Sequence, residues 1–244
     1  MSSRATSAVA IRVLSQLRRD PRTIVLIIAV PCLLEILLQQ LFKGEPEVFQ
    51  HVGAPLLGLF PFVTMFLVTS ITMLRERTTG TLERLMTLPL GKLDLLAGYG
   101  IAFALLAAVQ ITVVSVVTFG PLGLQTAGPR WLVAALAVAN AVLGCALGLF
   151  VSAFAQTEFQ AVQFMPAFVL PQILLCGLFV AQESMATWLR WISYALPLTY
   201  AYDALARAAA HTIDGRFAVD VAIVCGCIAL SLALGAATLR RRTP

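Results

Sequence analysis

The stretch RERTTGTLERLM, residues 75–86, sets three arginines and two glutamates into a 244-residue chain that is 59% hydrophobic and only 12% charged. Apolar runs flank it, at residues 53–74 and 93–119. Each is long enough to cross a bilayer, because a hydrocarbon core of ~30 Å needs ~20 mostly apolar residues in a helix. Four more runs have that length, at 23–42, 131–154, 161–181 and 217–239. The mean hydropathy of +0.90 agrees with six spans. Strands do not suit this setting: an open sheet leaves backbone polar groups unsatisfied in lipid, and a barrel shows short alternating segments rather than continuous runs. The sequence predicts an all-α integral membrane protein, a single transmembrane domain over residues 1–244. Residues 1–20 carry arginines throughout, and the first apolar run begins only after Pro21, so the N-terminus does not read as a cleavable signal peptide.

Charge placement predicts orientation. Of the 17 Lys and Arg, five lie before the first run, four (Arg75, Arg77, Arg84, Lys92) between the second and third, and three at the C-terminus. The opposite side holds five: Lys43, Arg130, Arg190, Arg207 and Arg216. Basic residues concentrate in cytoplasmic loops, so both termini and the 75–91 loop are expected in the cytoplasm of a multi-pass protein of the plasma (inner) membrane. The net charge of +5 is then a topology signal, and no basic stripe interleaved with aromatics points to nucleic acid. All five cysteines fall inside the apolar runs, where Cys acts as a small hydrophobe. His51 and His211 are isolated, and no ligand spacing suggests a metal site.

Residues 5–20 read as an amphipathic interfacial helix. Val9, Val13, Leu14 and Leu17 form one face and Arg12, Ser15, Gln16 and Arg19 another, with a stop at Asp20-Pro21. Glu35 lies inside the first apolar run, with Gln39 one turn later on the same face. An intramembrane carboxylate is costly and marks either a functional site or a polar contact with a neighbouring helix. Gly144 and Gly148 form a small-xxx-small pair that permits close helix approach. The fifth run contains Pro166 and Pro171, which kink a helix and suit it to lining a cavity. Glu35, Gln39, Met65, Thr69, Gln163, Phe164, Pro166 and Phe168 are candidates for a substrate pathway. In segment 182–212, Trp188, Trp191 and Tyr194 recur at spacing three, and Leu196-Pro197 divides two short helices that dip into the outer leaflet.

Within the opening stretch, Leu82, Leu85 and Met86 share one helical face, while Glu83 and Arg84 point elsewhere. Gly80 opens the helix and Pro89-Leu90-Gly91 closes it. A helix of about two turns, ~12 Å long, cannot span anything, and short helices are marginal in water. It therefore suits a groove on a cytoplasmic protein.

The segment RERTTGTLERLMTLPLGKLDLLAGY resembles the cytoplasmic stretch of ABC-2 type permeases, the membrane subunits of exporters in the daunorubicin-resistance style. FMPAFVLPQILLCGLFV and MATWLRWISYALPLTYAYDALARAA resemble that family's C-terminal signature. The resemblance implies a coupling helix, carried here by Glu76, Arg77, Gly80, Thr81, Leu82, Glu83, Arg84, Leu85 and Met86, which presses on a separate ATPase subunit. It also implies re-entrant helices before the last span. Glu35 inherits no role from it. A phosphate-binding loop, G-x-x-x-x-G-K-[ST], is not found: Gly91-Lys92 is followed by Leu93, with Met86 where the first Gly belongs. ATP hydrolysis is therefore expected in a partner chain that binds Mg-ATP, with no cofactor in this one. Six spans suggest pairing with a second copy or a sibling permease, in contact with membrane lipid. The expected activity is export of a hydrophobic or amphipathic solute by alternating access. A secondary transporter or channel, which would show inverted repeats of broken helices, and a membrane-embedded enzyme are the alternatives.

Overall fold

The computed structural model describes residues 3–87 and 91–238, which are helical with no strand among them. Helix α1 (Ser3–Arg18) is the amphipathic helix. Its stripe Val9, Val13 and Leu17 is buried, and it packs chiefly on α5 (Lys92–Phe119). Gly98 makes room for this, since a Cβ there would stand 2.6 Å from that of Val9. Asp20 ends α1 and caps α2 (Pro21–Leu41), accepting from the Thr23 amide at 3.3 Å and its hydroxyl at 2.6 Å.

Helix α3 (Pro46–Thr78) has 33 residues, about 50 Å at 1.5 Å per residue, so it outreaches the ~30 Å apolar core of a bilayer. Gly80, at φ 71, turns the chain from α3 into α4 (Thr81–Thr87). Helix α6 (Arg130–Val151) makes the most extensive contact in the molecule, with α3. Gly144 and Gly148 lie flat on the α3 backbone at Phe62 and Phe66, where any side chain would overlap a carbonyl oxygen.

The expected single span over 161–181 is a broken helix: α7 (Glu158–Phe164), one π-helical segment (Met165–Val169) and α8 (Leu170–Leu175). Pro166 and Pro171 supply no N–H to the ladder, and the ladder widens between them. A short 3₁₀ turn (Gln182–Ser184) precedes α9 (Thr187–Ala195) and α10 (Pro197–Ala209), which break at Leu196 as the sequence predicts. Trp188 and Trp191 are exposed on α9. Helix α11 (Gly215–Thr238) packs on α6 and α10. Among the described residues, five helices are long and apolar enough to cross a membrane: α2, α3, α5, α6 and α11.

The two ends of the bundle are distinct. Arg75 at the end of α3 pairs with Glu158 at the start of α7, so Thr79 and Gln156 share one end. At the other, the Gly128 amide of the α5–α6 turn donates to Ala209 of α10, and Gln182 reaches Asp203, so Gln182 and His211 lie there.

Candidate functional site

The charged stretch builds a cross-linked corner at the α3–α4 end. Arg12 Nη2 donates to both carboxylate oxygens of Glu76, at 2.7 and 2.8 Å, and Arg12 Nη1 reaches the Tyr99 hydroxyl at 3.3 Å. These contacts tie α1, α3 and α5 together. Glu76 is 6% exposed, so its charge is spent inside the molecule. Arg75 and Glu158 form an exposed two-bond pair at 2.6 and 3.0 Å.

Helix α4 uses its apolar side inward. Leu82 is buried in the main core and Leu85 packs against it, rather than standing free for a partner's groove. A seven-residue helix cannot hold itself without tertiary contacts, and its leucines supply them. Arg84 and Thr87 remain exposed, Thr81 half-exposed, and Arg77 half-buried with its Nε unpartnered. The side chains of Glu83 and Met86, and residues 88–90 of the expected Pro89-Leu90-Gly91 stop, lie outside the described residues.

Beside this corner is a groove of about 630 Å³ between α1, α2 and α3. Leu26, Ile27 and Val30 of α2 face Leu67, Val68 and Ile71 of α3 across it, and Asp20, Arg75, Glu76 and Thr79 stand at its mouth. The Thr23 hydroxyl, then the Thr23 amide, hold the Asp20 carboxyl below the usual carboxylate range.

The eight pathway candidates are not brought together. Met65 and Thr69 are fully buried, with Thr69 beside Gly148. The groove instead uses Thr64, Leu67, Val68 and Ile71, the adjoining face of α3. Gln163, Pro166 and Phe168 are exposed and Phe164 half-buried on the broken helix. Glu35 is fully buried, away from the groove lining, with both carboxyl oxygens unpartnered; Gln39 is half-buried.

Register explains the Glu35 environment. Pro31 has no N–H to give the Ile27 carbonyl, and Gln110 of α5 donates to that oxygen at 2.8 Å. Helices α2 and α5 both start at the Arg12–Glu76 corner and run the same way. Further along these helices, Glu35 of α2 and Thr118 of α5 are both buried with their side-chain oxygens unpartnered. Sequence reading missed Arg12, Asp20, Tyr99, Gln110 and Glu158 as partners. Their signal was weak, since an arginine near a membrane reads first as a topology marker.

Residues 4–208 match the ABC-2 type transporter family. A region of 147 residues is 27% identical to ABC transporter G family member 20 of Dictyostelium discoideum, covering 60% of this chain and 20% of that protein. A region of 169 residues is 27% identical to the probable multidrug ABC transporter permease YbhR of Escherichia coli (strain K12), covering 69% of this chain and 46% of that one. The chain thus spans less than half the length of either relative. With its apolar helices, its charged corner between α3 and α5 and a match over most of its length, the chain belongs to the ABC-2 type transporter family.

Proposed function

We propose that the chain is the permease subunit of an ATP-driven exporter, working as a pair of copies or with a sibling permease. A separate ABC ATPase binds Mg-ATP and supplies the work. The substrate is a hydrophobic or amphipathic solute, drawn from the cytoplasm or inner leaflet and released outside by alternating access. Both termini and α4 face the cytoplasm of the plasma (inner) membrane, and α7 to α8 completes a sixth, broken span. The daunorubicin-resistance style of exporter remains the reading for the subfamily.

The observation that carries this reading is the corner itself. Arg12, Glu76 and Tyr99 join three long helices where α4 is seated, so a push on α4 moves them as one body. The exposed residues Arg84 and Thr87 form the surface offered to the ATPase. The exposed face of the broken helix, with Gln163 and Phe168, is where a second permease would close the pathway. Glu35 enters that pathway only if α2 turns about its axis during the cycle.

Purified permease and ATPase, reconstituted into vesicles, test the proposal. Arg84→Glu reverses an exposed charge without touching the leucines that seat α4. The expected result is normal membrane insertion with loss of copurifying ATPase and of ATP-dependent export. Unchanged copurification and export would remove α4 from the coupling role.

A further inference from the structure

The end of the bundle opposite α4 gathers charge in one place. Helices α10 and α11 are joined by the turn 210–214, and five ionisable side chains lie along this hairpin: Asp203 and Arg207 on α10, Asp214 in the turn, Arg216 and Asp220 on α11. Arg207 serves two of the carboxylates. Its Nη1 donates to Asp214 at 3.0 Å, and its Nε stands 3.6 Å from Asp220. Asp214 also accepts from the Phe217 amide at 2.9 Å. Asp220 is 3% exposed, and its Oδ2 has no hydrogen bond among the described residues.

Asp203 precedes Arg207 by one turn and is half-buried. Gln182, just past the broken helix, donates to it at 3.5 Å. Of the elements packed on α10, helices α3, α6, α8 and α9 make no ion pair or hydrogen bond with Asp203 among the described residues. The cluster thus sets three carboxylates against two guanidiniums, and Arg207 is already divided between two of the three. Like charges held together out of water favour neutralising one of them, and a proton does this for a carboxylate. Burial, then the charge of Asp220, raise the Asp203 carboxyl to about 6, while Arg207, Arg216 and the Gln182 amide act the other way. Tyr200, Tyr202 and Cys176 feel its charge and are themselves neutral at that pH.

We propose that Asp203 makes α10 a proton-operated latch: a proton taken up from the outer face fastens α10 to α11, and its loss frees α10 and the Gln182 turn that follows the broken helix. Ionised, Asp203 repels Asp220 and draws on Gln182. Neutral, it removes that repulsion, and α10 settles on α11. A carboxyl that titrates at about 6 when latched and at its ordinary 3.8 when free favours the latched state about tenfold more at pH 5 than at pH 7. The inference rests on the membrane orientation of the proposed exporter, in which this end is where solute leaves, so acid outside slows release. The latch itself requires neither ATP nor the ATPase.

The test uses the purified full chain in phosphatidylcholine nanodiscs, without ATPase, and reads amide hydrogen exchange over residues 197–209 and 215–222, corrected for the intrinsic pH dependence of exchange. Protection is expected to be about tenfold greater at pH 5 than at pH 7. Asp203→Asn is expected to hold the pH 5 protection at both values. Arg216→Gln removes an exposed cation that favours ionised Asp203, and is expected to move the midpoint of the response to higher pH. In inside-out vesicles supplied with ATPase and ATP, uptake of the dye rhodamine 6G should be faster with the lumen at pH 7 than at pH 5, and Asp203→Asn should be slow at both. Protection that does not change between pH 5 and pH 7, an unchanged response in Asp203→Asn, a midpoint indifferent to Arg216→Gln, or uptake at equal rates at the two lumen pH values would overturn the inference. A latch that responds in nanodiscs, with no ATP-dependent uptake at any pH, would count against the exporter reading alone.

Discussion

Pro31 and Gln110 lie 79 positions apart and solve one problem. The proline removes the N–H that would pair with the Ile27 carbonyl, and the Gln110 amide replaces it while also donating to the Thr64 hydroxyl at 2.8 Å. A buried carbonyl left without a donor costs about 1–3 kcal/mol, so Gln110→Leu should lower stability by about that amount in a denaturant or thermal titration. Pro31→Ala restores the N–H, so adding it to Gln110→Leu should recover part of the loss. Additive effects of the two changes would contradict the compensation, since only coupled residues depart from additivity. The proline was legible in the sequence; its partner was not. Gln110 is one polar residue in a nearly uniform apolar helix, and only the relative rotation of α2 and α5 shows what it meets. Glu35 is similar: its cost was legible, but its burial depends on the same rotation.

At the level of elements, small residues set the close contacts. A methyl at Gly148 would overlap the Phe66 carbonyl and the Thr69 hydroxyl, and backbone cannot yield as a side chain can. Gly148→Ala should therefore cost about 1–3 kcal/mol, the range for overpacking. Gly226 of α11 has open space around its Cβ position, and Gly226→Ala should be neutral or stabilising by up to ~1 kcal/mol because Ala favours helix. Equal responses to the two changes would contradict the α3–α6 contact. The glycine pair was readable in sequence, but not its partner face, so Met65 and Thr69 were selected where Thr64 and Val68 line the groove. One position along a helix turns a side chain by about 100°, enough to move it from core to cavity.

The α10–α11 contact carries a pH response. Burial, then the charge of Asp220, push the Asp203 carboxyl up to about 6 from 3.8. Its folded-state value is the higher, so the ionised form opposes folding above about pH 6, and that penalty fades as pH falls toward 4. The thermal midpoint should rise between pH 7 and pH 5, and Asp203→Asn should remove that part of the rise. Asp214, held low first by the Phe217 amide, acts in the opposite sense, and its contribution is lost only as pH falls below the ordinary value of 3.8. A midpoint in the Asn variant with the same slope as the parent would contradict the Asp203 assignment.

For the molecule as a whole, the long apolar runs and the punctuation at Asp20-Pro21, Gly80 and Leu196-Pro197 were legible because each follows from local chemistry. The break between Met165 and Val169 was half legible: two prolines announced a kink, while the π-helical segment between them depends on how neighbouring helices hold the widened ladder. The corner of Arg12, Glu76 and Tyr99 was not legible, because its members come from three separate helices. That corner lies where α4 is seated, and the proposed coupling to an ATPase through α4 is the central claim. The most direct test is cross-linking from Arg84→Cys, in a cysteine-free background, in membranes holding the assembled transporter. The account predicts one adduct, formed from the cytoplasmic side, whose partner peptides include a G-x-x-x-x-G-K-[ST] phosphate-binding loop. Reaction of that cysteine with a membrane-impermeant maleimide added outside intact cells, with no such adduct, would contradict it.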